Sequence, residues 1–248
     1  MRALWVLPLA ALCGGCVTGE TVRFSAKAQQ EAMTRDGNPA LVSRKKNSLV
    51  ILRPAARQFA AGGRPVFVVA TFNLGRNPID FRVSDVEVVQ IVNQQAASLK
   101  VITFEDLMTE ERNRQVFAAV MTGLAAAGNS YSASQQGHYS RTSTVHTSRG
   151  TYQVHTTGYS PTANAIAQAN ASAQNEAMIA NTIEQGQRNM ASLERGVIKD
   201  NTLLPGEWYG GQLHISPPTS VEGPKQYSIA LLIGGERHEI DITQDRAR

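Results

Sequence analysis

The sequence predicts an α+β protein: a discontinuous antiparallel β-sandwich, drawn from residues 48–102 and 202–245, interrupted by a long helical hairpin insertion at 103–200. Three observations predict it. Short β-rich runs separated by turn residues occupy both flanks. Between them the apolar spacing changes from a period of two to a helical one. Neither flank holds enough strands for a sandwich of its own, and the ends of one domain commonly lie close together. Two separate domains are the alternative.

Residues 16–47 are polar and mixed, with a turn at Asp36-Gly37-Asn38-Pro39. They read as a linker that contributes at most an edge strand at residues 22–25. Residues 48–52 (SLVIL) form the first clear strand, closed by Arg53-Pro54, and Gly62-Gly63 breaks the chain before a strong strand at residues 65–72. Residues 73–78 are turn chemistry. Ile79, Phe81 and Val83 alternate with polar neighbours, residues 86–91 continue the pattern, and residues 99–102 end it.

At Thr103 the period turns helical. Thr103 suits an N-cap, and Glu105 and Asp106 fall in the first turn, where negative charge suits the helix dipole. Phe104, Leu107, Met108, Val116, Val120 and Leu124 make an apolar stripe, which the pattern assigns to packing. The residues then become small, from Thr122 and Gly123 to Gly128. Residues 128–161 are rich in Ser, Thr, Gly, Tyr and His and read as a flexible loop. A near-repeat in it, Thr144-Val145-His146-Thr147 and Gln153-Val154-His155-Thr156, flanks Ser148-Arg149-Gly150 as a hairpin would. Neither face reads as apolar, and a lone hairpin is marginal in water.

A second helix spans residues 163–197, with a sparse seam of Ile166, Ile179, Ile183, Met190, Leu193 and Val197. At about 1.5 Å per residue it reaches some 50 Å, and Gly186 and Gly196 weaken it locally. So polar a helix is not stable alone. It pairs with the first as an antiparallel arm or packs across the sandwich. The tail returns to strands at residues 211–215, 227–233 and 238–242, the last two joined by Gly234-Gly235. The stretch LLPGEWYGGQLHI at 203–215 resembles the strand lead-in of immunoglobulin-like bacterial envelope domains, which implies an immunoglobulin-like sandwich.

The amino terminus reads MRALWVLPLAALCGGC. Arg2, an apolar run at residues 3–12 and the small Gly14 and Gly15 have the layout of a secretory signal peptide, residues 1–15. The run is about a dozen residues, short of the roughly 20 that span a bilayer. LCGGC resembles the lipobox of bacterial lipoproteins: Leu12 and Gly15 match, and Cys13 departs from the usual apolar or small residue. The resemblance implies cleavage before Cys16, diacylglycerol on its thiol and a further acyl chain on its amine. Two or more chains give stable membrane anchoring. That covalent lipid on Cys16 is the only prosthetic group expected. By resemblance to enterobacterial sorting, Val17 in place of Asp favours the outer membrane, facing the periplasm. An ordinary secretory signal is the alternative.

The chain has two cysteines, Cys13 and Cys16, so the exported body folds without a disulfide. That body, about 230 residues, is enough for one sizeable domain or two small ones. Removing Arg2 leaves 23 basic against 20 acidic side chains, too balanced to argue for nucleic acid. Arg44-Lys45-Lys46 could meet anionic headgroups, but such a run is more often a solvated strand edge.

The five histidines, His138, His146, His155, His214 and His238, show no HExxH or His-x-His spacing, and zinc wants three or four converging ligands. Whether His146 and His155 share a face depends on strand register. Glu105, Asp106, Glu110 and Glu111 are explained by the helix dipole. No Gly-x-Ser-x-Gly elbow occurs, and Gly62-Gly63 and Gly234-Gly235 lack the following helix a phosphate cradle needs. Trp208 and Tyr209 beside Gly210-Gly211 either face a partner or cover the end of the sandwich.

The expectation is a non-enzymatic envelope lipoprotein, a binding or scaffold module without metal or cofactor. Trp208, Tyr209, His146 and His155 are the candidate partner-facing residues. Its partners are the membrane, through the lipid, and a protein or a second copy, through the helical arm. The alternative is an envelope enzyme or small-ligand carrier built on tail residues such as Glu207, His214 and His238. That predicts a deep pocket with converging polar groups. Insertion of the helices into a bilayer is disfavoured by their polar content.

Overall fold

The computed structural model describes residues 19–35, 37–92, 95–220 and 223–247. The expected signal peptide and the lipid site Cys16 lie outside the described residues. The chain is α+β with mostly antiparallel sheets. In chain order the strands and helices are β1 (Gly19–Ser25), β2 (Gln30–Arg35), β3 (Asn38–Arg44), β4 (Ser48–Pro54), β5 (Phe59–Ala60), β6 (Val66–Asn73), β7 (Ile79–Phe81), β8 (Val86–Val92), β9 (Gln95–Leu99) and β10 (Val101–Ile102). There follow α1 (Phe104–Gln135), β11 (His138–Thr147), β12 (Gly150–Tyr159) and α2 (Pro161–Gly196), then β13 (Asn201–Leu203), β14 (Trp208–Ile215), β15 (Lys225–Ile233) and β16 (Glu236–Arg246). They fall into two compact units: a β unit up to residue 103 and from 196 onward, and a helical unit at 104–195.

The β unit has two six-stranded sheets, ordered β5-β1-β16-β15-β8-β9 and β10-β14-β6-β4-β3-β2, and the small pair β13-β7. A period of two sends alternate side chains to one face. In β4, Ser48, Val50, Leu52 and Pro54 are buried while their neighbours are not, and β16 alternates the same way. One hydrophobic cluster takes Val22, Ile229, Leu231, Ile240 and Ile242 from the first sheet and Leu41, Leu52, Phe67, Val69 and Leu213 from the second. Gly234 and Gly235, both at positive φ, turn β15 into β16, as a two-residue primed turn requires.

The segment expected as a linker is instead built into both sheets. β1 lies inside the first sheet between β5 and β16, and β3 lies inside the second between β4 and β2. The reason is chemical: two of the inward positions, Glu20 and Ser43, are polar, so the strands read as spacer. Glu20 meets Lys225 and Gln244, and Ser43 meets His238, all buried. Gly211 has a different task. Residues 196–198 cross β14 so closely that a Cβ at Gly211 would come within 2.8 Å of the Ile198 nitrogen, and the Ile198 N–H donates to the Gln212 carbonyl at 3.0 Å.

In the helical unit, α1 and α2 run antiparallel side by side. Gln115 Nε2 donates to the Gly186 carbonyl at 3.0 Å, Thr122 and Thr182 share a hydrogen bond of 3.0 Å, and Asn129 Nδ2 donates to Asn175 Oδ1 at 3.1 Å. From Glu111 to Ala133 the covered positions of α1 are 111, 115, 118, 122, 126, 129 and 133. In α2 they begin 164, 167, 171, 175, 178, 182 and 186. Both follow an eleven-residue repeat, close to the period of a straight helix. Apart from Met178 the occupants are small or polar, and Ala133, Ala167 and Ala171 form a buried cluster at one end of the seam. The expected loop at 128–161 is also revised. α1 continues to Gln135, and β11 and β12 pair over their full length from His138↔Tyr159 to Thr147↔Gly150.

Candidate interaction surface

The seam between the helices leaves the large apolar side chains of α1 outside. Phe117, Val120, Leu124 and Tyr131 are 67%, 56%, 63% and 71% exposed, with Val116 and Met121 exposed beside them. Leu124 stands two residues from both Thr122 and Ala126, which puts it about 200° round the helix from the seam. Of the stripe expected to pack, Leu107 is buried and Phe104 and Met108 are half-buried, but Val116, Val120 and Leu124 face solvent. A surface helix ordinarily buries its apolar face and exposes its polar one; here the two are exchanged. α2 adds exposed Ile166, Ile179 and Ile183.

Charge is missing from the same region. No Lys, Arg, Asp or Glu occurs between Arg114 and Arg141, and Glu176 is the one such residue between Pro161 and Ile183. At ~150–250 Å² for each of the two aromatics and roughly 60–120 Å² for each of the four aliphatic side chains, scaled by their exposure, the six residues of α1 present roughly 350–600 Å² of apolar surface. That matches the about 300–600 Å² of the largest patch on an ordinary monomer, a patch that is often functional. On the opposite, inner face Glu111 is buried in the seam and accepts hydrogen bonds from Asn189 at 3.0 Å, Gln115 at 3.2 Å and Arg114.

The hairpin has two unlike faces. The pairs Thr142↔His155 and His146↔Thr151 put His138, His146 and His155 on one side. Each of these histidines occupies or faces a position four residues from the next, about 13 Å along a strand, too far to share a metal. Among the described residues no cluster of metal-binding side chains occurs. The imidazoles instead meet hydroxyls: His155 Nδ1 lies 2.7 Å from Thr142 Oγ1, and His146 Nδ1 lies 2.9 Å from Thr151 Oγ1. The opposite face carries Tyr139, Val145, Tyr152 and Val154, so the reading of two polar faces was wrong for this side. Alternation with Arg141, Ser143 and Thr156 hid it.

Trp208 and Tyr209 part company. Trp208 is 55% exposed and lies against Phe72, ring centroids 4.6 Å apart. Tyr209 is half-buried, packs near Phe81 and accepts the Lys199 N–H at 2.9 Å. Trp208 remains available to a partner, whereas Tyr209 holds the chain that follows α2.

Glu207, His214 and His238 are not brought together. His214 lies on β14 of the second sheet and His238 on β16 of the first. Glu207 precedes β14 and is roughly 23 Å along the strand from His214; its carboxylate accepts the Leu204 N–H at 2.8 Å. His238 is fully buried between Ser43 Oγ at 2.9 Å and Ser48 Oγ at 2.8 Å, and Ser48 donates in turn to Glu236. Burial lowers its pKa to about 4, the positive charge of Lys45 adds to this, and Glu236 opposes it. Such an imidazole is neutral and has no access to a substrate. A surface cavity of about 520 Å³ is lined by Arg76, Asp80, Arg82, Asp85 and neighbours, with none of the three residues in it.

The sequence reading missed Phe117, Met121 and Tyr131 as surface residues. The signal was present in the competing run Glu111, Gln115, Ala118, Thr122, Ala126, Asn129, whose spacing claims the inner face of α1. No family model matches the chain, and no curated protein or solved structure shows significant similarity to it.

Proposed function

We propose that the protein is an envelope-anchored lipoprotein that works as a non-enzymatic binding or scaffold module. It is tethered through lipid on Cys16, at the outer membrane facing the periplasm, and makes its protein contacts through the helical unit. The observation that carries the contact-making role is the uncharged apolar stripe on the outside of α1, which water disfavours and a partner would cover. The common core of the two six-stranded sheets supports an immunoglobulin-like sandwich. The position of both helices between β10 and β13 in the chain supports their being a helical hairpin inserted into it. Trp208, His146 and His155 are secondary contact candidates. An enzyme or carrier built on the tail strands draws no support from three residues so far apart.

The test is cross-linking in cells that make the full chain or a chain lacking residues 104–195. The shortened chain is expected to reach the membrane and to lose the cross-linked species of the full chain. An unchanged set of cross-linked species would contradict the contact-making role.

A further inference from the structure

We propose that the occupant of the α1 stripe is a second copy of this chain, the two copies meeting about a two-fold axis near Leu124. This goes beyond the scaffold reading by naming the partner. It rests on that reading only in taking the helical unit as the contact-making element.

Three observations select this occupant. The first is spacing. Phe117, Val120, Leu124, Ala127 and Tyr131 step by three and four in turn, a heptad seam whose side chains interlock with an equivalent helix. The inner seam of α1 steps in elevens, so the helix carries two different seams on opposite sides. One is already filled by α2. A heptad demands a partner with the same period, which another α1 supplies. A lipid surface demands apolarity without register, and so leaves the heptad spacing unexplained.

The second is area. Roughly 350–600 Å² of apolar side chain per copy supplies about half or more of the ~800 Å² that each partner contributes to a standard stable interface, the polar rim supplying the rest. The third is charge. A surface without Lys, Arg, Asp or Glu from 115 to 140 can be apposed to itself without like-charge repulsion, which a two-fold interface requires because each patch meets its own twin. Leu124 is the midpoint between Phe117 and Tyr131, so it faces itself whether the two copies run parallel or antiparallel.

The test uses the full chain with Cys16→Ser, so that no acyl chain contributes to association. Mass in solution is followed by sedimentation against concentration. The chain is expected to self-associate, and F117D/L124D is expected to raise the dissociation constant at least 100-fold with an unchanged far-UV spectrum. Asn170→Asp, an exposed change on α2, is expected to leave it unaltered. Should the double variant misfold, Leu124→Cys in a chain with Cys13→Ser and Cys16→Ser is expected to give a disulfide-linked pair of copies on mild oxidation.

A chain that stays monomeric at about 100 μM, where a Kd of ~1 μM would give near-complete association, would overturn the proposal. So would association that a well-folded F117D/L124D retains. A monomer that binds phosphatidylcholine vesicles and loses that binding in the double variant would overturn it in favour of a lipid occupant. Cross-links in cells to another protein, together with a monomer in solution, would overturn it while leaving the scaffold reading intact.

Discussion

Lys225→Met is expected to destabilise the β unit by about 3–5 kcal/mol. Glu20 on β1 and Lys225 on β15 form an ion pair with side chains 3% and 1% exposed. Gln244 on β16 donates its Nε2 to the second Glu20 oxygen at 2.6 Å. The three groups tie together three adjacent strands of the first sheet. The net value of such a pair is small, because desolvating two charges offsets their attraction. The value of one partner to the other is large. Without the ammonium, the Glu20 carboxylate is left in the interior with a neutral donor. Nearby, burial and the charge of Glu20 already push the Tyr227 phenol upward. The double change Glu20→Leu with Lys225→Met is expected to cost much less than the single one. Denaturant midpoints of the two variants decide it. Equal losses would mean that shape, and not the orphaned charge, sets the cost. Since whole domains are stable by about 5–15 kcal/mol, the single variant should lose from a fifth to nearly all of that margin.

The second large effect is acid sensitivity through His238. Its pKa is lowered to about 4, first by burial, against an unfolded value of about 6.5. A histidine that binds its proton more weakly when folded is a load on the folded state in acid. Its contribution is fully favourable above pH ~6.5 and is lost as pH falls from ~6.5 to ~4, because the unfolded chain takes up the proton first. The shift corresponds to about 3 kcal/mol. In its neutral form the ring bridges Ser43 and Ser48 with one nitrogen donating and the other accepting. Protonation removes the acceptor and places a charge where no water reaches. Denaturant titrations at pH 7, 5.5 and 4 are expected to show this loss for the natural chain and a much flatter profile for His238→Asn. Equal slopes would mean that other groups carry the acid response.

These two clusters also mark where the sequence could and could not be read. β4, β6 and β16 were legible because buried and exposed positions alternate without interruption. β1 and β3 were not, because Glu20 and Ser43 look solvated until their partners, some 200 residues away in the chain, are known. The existence of both helices was legible from period and length, but the orientation of α1 was not. Phe117, Val120 and Leu124 compete with Gln115, Ala118 and Thr122 for the inner face, and apolarity alone picks the first set. The second set wins because its amides and hydroxyls find partners across the seam, at Gly186 and Thr182, and its small side chains let the helices approach. The hairpin could be placed but its register could not. Only the pairing Thr142↔His155 decides that the histidines share a face.

The anchored-scaffold account is tested most directly by intact mass and membrane fractionation of the full chain beside Cys16→Ser. The account predicts a chain that begins at Cys16, carries added acyl mass and sediments with membranes, and it predicts that both the added mass and the sedimentation vanish in the variant. A natural chain that is cleaved, unmodified and free of the membrane fraction would contradict it.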